Sequence, residues 1–350
     1  MHLAFSHVEL EALFALGPVL LFLAGLVYLD SFKLVGIGTV SWVMLLGVLA
    51  AAVTYLTSGP VMSALHLNFA YYSRYAAPVI EESLKGAVVI YLFRRNRIGF
   101  AVDAAILGFA VGAGFSLFEN IYYAYVFPNA NLGVWVVRGL GTALMHGGVT
   151  AIFAITAYVL SERHTFANVI NYIPGLVLAI SLHSIFNQFT AFPLISTAAT
   201  IVALPLSLLF IFDKSEHYVH DWLIHDYESH EHLLEDIRSG KFVHTEAGRL
   251  ITSLAARFGP TVVANIFAYI RLHTELVLRA EQVLLAREGG DTAPLTTVDA
   301  ESFKRLHGLE RKIGKTAMLA TWPHLKFSRQ ELWELHQLEV RTARLAATAK

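Results

Sequence analysis

Residues 98–127 read IGFAVDAAILGFAVGAGFSLFENIYYAYVF, and this stretch decides the fold. Apart from Asp103 and Glu119 it has no Asp, Glu, Lys or Arg. It exceeds the roughly 20 apolar residues with which a helix crosses a ~30 Å hydrocarbon core, so it is long enough to tilt or to project beyond the lipid. Further stretches of the same kind lie near 10–29, 34–57, 75–93, 134–160, 166–188 and 191–212. The expected fold is all-α: a polytopic transmembrane bundle of about seven spans over residues 1–212, followed by a helical soluble domain over 213–350. Met1 to Glu11 lacks the basic start of a signal peptide, so the first stretch reads as a retained span.

Composition divides the chain at the same place. The 350 residues are 55% hydrophobic and 15% charged, with a mean hydropathy of +0.54. Of the 53 Lys, Arg, Asp and Glu residues, 16 fall in 1–212 and 37 in 213–350. The change near Asp213 is a change of solvent. A net charge of −1 and no basic patch interleaved with aromatics argue against nucleic-acid binding. The absence of cysteine excludes disulfides, cysteine nucleophiles and thiolate metal sites.

Cytoplasmic loops carry the excess of Lys and Arg. Lys33, the run Arg94-Arg95-Asn96-Arg97, Arg163 and Lys214 all fall on one side of the expected spans, whereas Glu9, Glu11 and the uncharged loop Pro128–Gly133 fall on the other. The N-terminus is therefore expected outside and the C-terminal domain inside. No cysteine and no eukaryotic targeting signal suit a bacterial plasma membrane.

Ionisable side chains are expensive inside a bilayer and mark function or pairing. They concentrate in four consecutive spans, as Glu81-Glu82-x-x-Lys85, Phe115-x-x-x-Glu119-Asn120, His146 and His183-x-x-x-Asn187. Glu81 and Lys85, four apart, share a helix face and can pair, while Glu82 is turned about 100° away. At about 1.5 Å of rise per residue, Glu81 lies about 9 Å, Glu119 about 12 Å, His146 about 18 Å and His183 about 8 Å from the outer end of its helix. Antiparallel helices thus deliver these residues to one layer in the outer half of the bilayer. Gly108, Gly112, Gly114, Gly141, Gly147 and Gly148 would let the helices approach closely. Asp103 and Arg138, near helix ends, read as a charge facing the arginine loop and a snorkelling side chain.

In this order on successive helices, these motifs resemble the PrsW family of intramembrane proteases. That family lies within the larger group of CAAX prenyl endopeptidases and Abi/CPBP proteins. The resemblance covers roughly residues 20–212. Lys85 at three residues from Glu82, and Glu119 where the prenyl endopeptidases carry His, favour PrsW over a prenylated substrate. The resemblance implies that Glu81 is the general base for water, with Glu82 and Lys85 setting its charge and position. His183 and Asn187 would bind the oxyanion. Glu119 and His146 would orient the water, protonate the leaving amine or complete a metal site, with Phe115 and Asn120 in support. It also implies a membrane-anchored protein substrate, cut on its extracytoplasmic side.

Three readings follow: a glutamate-dependent intramembrane endopeptidase needing no cofactor, a zinc protease using Glu81, Glu119, His146 and His183, and a non-enzymatic transporter or membrane partner. The C-terminal domain is expected to bind a cytoplasmic partner or to mediate oligomerisation. Its helices show apolar residues at Leu250, Leu254, Phe258 and at Leu276, Val277, Leu284, with breaks at Gly259-Pro260 and Gly289-Gly290. It opens on His217, His220, His225, His230 and His232 among Asp221, Asp226 and Glu231. His217 and Asp221 share a helix face, which permits metal binding, but the spacing matches no metal signature, and a solvated amphipathic helix accounts for the cluster.

Overall fold

The computed structural model describes residues 7–30, 35–162, 169–189, 192–288, 297–325 and 327–348. Lys33, Arg163 and the Gly289-Gly290 break lie outside them. The regular elements among the described residues are all helices, with no strand, as expected. They form two compact units, Met1–Glu216 and His217–Lys350.

In the first unit, α1 (His7–Leu29) and α2 (Ile37–Ala64) lead to α3 (Ala77–Arg94), α4 (Ala101–Val126), α5 (Leu144–Glu162) and α6 (Ile173–Gln188). The long α7 (Pro193–Ser239) contains the division between the units. It continues past the expected end of the last span, because the polar sequence after Phe212 contains no breaker before Gly240. That glycine takes φ +78, the left-handed conformation that ends helices.

α4 is the central helix. It packs against α1, α2, α3 and α5, while α6 lies on α3 and α5. From Val102 to Ser116 every residue of α4 is buried, which accounts for its small-residue sequence. Gly112 is where α4 meets α5: a methyl group there would run into the backbone carbonyl of His146. Outward-facing residues of the other helices, such as Leu21, Leu49, Leu56, Val177, Leu206 and Phe210, are large, apolar and exposed, as lipid contact requires.

Seven helices among the described residues are long and apolar enough to cross a membrane. The number is the expected one, and its membership differs by one helix. α3 is missing from the seven because Glu81, Glu82 and Lys85 interrupt it, and Pro260–Ala286 in the second unit takes its place by composition.

The second unit comprises the end of α7 with α8 (Glu246–Ser253), α9 (Pro260–Glu288), α10 (Thr297–Ile313), α11 (Lys315–Leu325) and α12 (Arg329–Thr348). Its core gathers Ile251, Ile266, Ile270, Val277, Phe303 and Leu306. α9 thus turns its apolar residues into a protein core. Gly259, at φ +87, makes the break before Pro260.

Candidate active site

Two single-turn π-helices introduce the polar helices. Residues Tyr72–Ala76 precede α3 and Arg138–Ala143 precede α5, so Glu81 and His146 each follow closely on a widened turn. Such turns leave a carbonyl without its usual helical partner and recur at functional sites. In the first of these turns, the Ser73 carbonyl accepts a hydrogen bond from Asn187 Nδ2 at 2.8 Å. Asn187 thereby ties α6 to the turn that aims α3.

Lys85 is fully buried and pairs with Glu82, its Nζ 2.6 Å from Oε1. This corrects the expected pairing with Glu81: the contact is made at i,i+3. The same ammonium donates to His146 Nδ1 at 3.1 Å and lies 4.7 Å from the centre of the Phe115 ring. Since an ammonium has no lone pair, His146 Nδ1 accepts, which leaves its proton on Nε2 to be donated to Glu119 Oε2 at 3.1 Å. Glu119 in turn is held by Arg138 at 3.2 Å. His183 Nδ1 meets Glu82 Oε1 at 2.7 Å, and its Nε2 faces Glu81 Oε2 at 3.9 Å. The two histidine rings cross edge-on with centroids 4.9 Å apart.

Glu81, Glu82, Lys85, Glu119, His146 and His183 therefore form one connected cluster, contributed by α3, α4, α5 and α6. Phe115 flanks His146 at 5.1 Å between ring centres. Asn120 stands one link further out. Its Oδ1 accepts from Arg138 Nε at 2.8 Å, and its Nδ2 donates to the Ala15 carbonyl at 2.7 Å.

Arg138 was missed by the sequence reading. It is not a snorkelling side chain: it neutralises Glu119, orders Asn120 and stacks 3.9 Å from the centre of the Tyr123 ring. The available signal was its company, since an arginine beside Gly139 and Gly141 is set for close helix approach. Asp103 serves locally. Its Oδ2 accepts from the Gly99 and Phe100 N–H groups and caps α4.

The three carboxylates differ in what remains open to them. Glu82 and Glu119 are bonded to cationic or imidazole partners, whereas Glu81 Oε2 is buried and accepts no hydrogen bond from the described residues. Glu81 and Glu119 both line a cavity of about 270 Å³ walled by Tyr55, Tyr72, Phe115, Phe118, Tyr122 and Phe127.

A family model described as PrsW family intramembrane metalloprotease matches residues 33–212. The chain belongs to the PrsW family. No curated protein and no solved structure matches it. PrsW membership classes the chain with the intramembrane proteases. It also agrees with membrane-length helices that bear clustered glutamates and histidines. The chain is a bacterial multi-pass membrane protein of a family whose substrates are membrane-anchored proteins.

Proposed function

We propose that this PrsW-family protein hydrolyses a peptide bond of a membrane-anchored protein in the outer half of the bilayer, with its N-terminus outside and residues 213–350 cytoplasmic. The observation that carries the reading is the state of Glu81. Of the three clustered carboxylates, it alone keeps a buried oxygen that accepts no hydrogen bond, and it does so at the wall of a cavity. An unbonded buried acceptor is costly and calls for a partner such as water.

A water between Glu81 and a substrate carbonyl loses a proton to Glu81 as it attacks the carbonyl carbon. His183, with Nδ1 fixed by Glu82, presents Nε2 to the same place and donates to the oxyanion when that nitrogen is protonated. Proton return to the leaving amine comes from Glu81, now a carboxylic acid. Lys85 and Arg138 bind Glu82 and Glu119, so that Glu81 is the carboxylate that titrates during turnover. Asn187 positions: its amide secures the turn before α3. The aromatic walls suit an apolar, extended stretch of substrate close to its membrane anchor.

A second reading follows from the same free oxygen. Glu81, His146 and His183 each offer a ligand atom, all within 4.8 Å of one another, and one Glu with two His is a donor set of catalytic zinc. The unbonded Glu81 oxygen fits that role, and so does Glu82, whose contact at His183 Nδ1 directs the other nitrogen inward. When bound, zinc would acidify a water and polarise the carbonyl. Lys85 favours the first reading, because it occupies one nitrogen of His146 and leaves the proton on the other.

The experiment is capture on an inactive chain. The Glu81→Gln variant, expressed in place of the wild type and cross-linked in native membranes, should retain uncut single-pass proteins whose cleaved forms appear with the wild type. Cleavage at wild-type rates by Glu81→Gln would overturn the assignment.

A further inference from the structure

A second buried polar cluster lies in the C-terminal unit. Asp226 and His230 are four apart on α7, Glu281 is on α9, and Glu331 and Glu334 are three apart on α12. Spacings of three and four put each pair on one helix face, and the three faces converge. Asp226, His230 and Glu281 each bring a ligand atom within 4.8 Å of the others. His230 Nδ1 is 2.7 Å from Glu281 Oε1, and its Nε2 is 3.8 Å from Glu331 Oε2. Glu331 Oε1 is occupied locally by the Ser328 N–H at 2.8 Å, in a capping box that fixes the first turn of α12.

The cluster gathers more carboxyl groups than it has cationic partners for. Glu281 is 0% and Glu334 1% exposed. One oxygen of Glu281 and both oxygens of Glu334 accept no hydrogen bond from the described residues. Glu334 lies near Glu281, Asp226 and Glu331, its electrostatic neighbours. The ion pairs that these carboxylates make among the described residues all run to His230. Replacing buried charged groups with apolar residues is often neutral or stabilising, so carboxylates gathered with a histidine inside a helical core point to a ligand that they serve. Carboxylates and a histidine projecting inward from facing helices are how helical bundles hold divalent metals, and mixed imidazole and carboxylate donors suit first-row transition ions.

We propose that Asp226, His230 and Glu281, with Glu334 as a further carboxylate, form a binding centre for a divalent transition-metal ion in the C-terminal unit. The ion would join α7, α9 and α12, three helices distant in sequence, and would take up the oxygens of Glu281 and Glu334 that accept no hydrogen bond from the described residues. The centre is independent of the membrane cluster and of the proposed protease chemistry.

The test uses the full-length chain in detergent with His183→Ala, which removes a donor of the membrane cluster. The protein is stripped with chelator, loaded with Zn²⁺ or Mn²⁺ alone, and its retained metal is counted by elemental mass spectrometry. One ion per chain is expected, with X-ray absorption showing oxygen and imidazole ligands. Adding Asp226→Asn or Glu281→Gln should weaken retention by about 10-fold or more, as loss of a ligand does. Metal should also slow amide exchange in residues 329–348 of the chain carrying His183→Ala as its sole substitution, a readout that does not depend on the tail variants folding. No retained ion, retention unchanged by both tail substitutions, or exchange in 329–348 that ignores the metal would each overturn the proposal.

Discussion

Lys85 Nζ lies 2.6 Å from Glu82 Oε1, and that contact distinguishes two adjacent glutamates. Glu82 spends one oxygen on two partners, Lys85 and His183, both in a fully buried setting. Glu81, one residue earlier and turned by about 100°, is left open to the cavity.

The two glutamates should therefore fail in different ways. Glu81→Gln is expected to fold and insert normally and to lose about 10²–10⁴-fold or more in turnover, the range for removing a general base. Glu82→Gln removes the counter-charge of buried Lys85, and breaking a buried pair from one side costs about 3–5 kcal/mol. It should lower the thermal midpoint and the yield in membranes. Melting curves and cleavage rates for both variants check this, and a stable Glu82→Gln chain with normal activity would contradict the division of roles.

Gly112 offers a test from the other side of the site. A methyl group there meets the His146 backbone carbonyl, so Gly112→Ala forces α4 and α5 apart where His146 must reach both Lys85 and Glu119. Overpacking of this kind costs about 1–3 kcal/mol. Activity is expected to fall with the loss of stability, and Gly36→Ala, where nothing stands within 4 Å, should change neither.

Much of this is legible in the sequence. Hydrophobic length identified the spans, and the cost of intramembrane charge pointed to Glu81, Glu119, His146 and His183, which do meet. What sequence could not supply were the details that depend on how helices are rotated. The Lys85 partner required the side chain to turn toward His146 and Phe115. The π-turns before α3 and α5 leave no compositional trace, so the role of Asn187 at Ser73 was invisible. In the tail, the histidine-rich run concealed the important pair. His217 with Asp221 does not belong to the group that converges, whereas His230 and Asp226 do, because Glu281, 51 residues beyond His230, lies against them.

Orientation is open to direct labelling because the chain has no cysteine. Arg95→Cys and Asn129→Cys place exposed thiols in the loops on either side of α4. Neighbouring Asn96 and Asn131 are poorer choices: the first takes φ +50 and the second caps the helix that begins at Leu132. An impermeant thiol reagent applied to intact cells should label the position 129 thiol and spare that at 95. The reverse pattern would invert the topology and put the site in the inner half of the bilayer.

The C-terminal unit should show a pH-dependent clasp at His307. Its two ring nitrogens contact Glu310 at 3.1 Å and Glu339 at 2.8 Å, joining α10 to α12. These hydrogen bonds, to Glu339 first and Glu310 second, raise its pKa. A raised folded value means that the clasp contributes fully below the ordinary histidine value of about 6.5 and is lost as pH rises through the folded one. The ring is half exposed, so the effect will be small. The thermal midpoint of His307→Asn should lie below that of the wild type in mildly acidic buffer and converge with it in alkaline buffer. A gap that widens with pH would reverse the sign and refute the clasp.

Glutamate and metal activation of the water separate under chelation. The measurement is made in a chain carrying Glu281→Gln, so that the C-terminal cluster contributes no ion. If Glu81 is the base, the purified enzyme holds well under one metal per chain and cleaves after prolonged chelation, because Lys85 keeps His146 Nδ1 occupied and the N–H at Nε2 donates to Glu119. If the membrane cluster holds zinc, three protein ligands should retain it through purification. Metal would then be stoichiometric, lost in His146→Ala and in His183→Ala, and activity removed by chelator would return with added zinc. Lys85→Met separates the readings further. Without the ammonium, His146 is freed as a ligand, so a metal enzyme should bind its ion at least as tightly. The glutamate enzyme should lose both stability and activity, since Glu82 and His146 part from their common donor. Survival of cleavage through chelation, together with loss of cleavage in Lys85→Met, is the outcome expected from the geometry around Glu81.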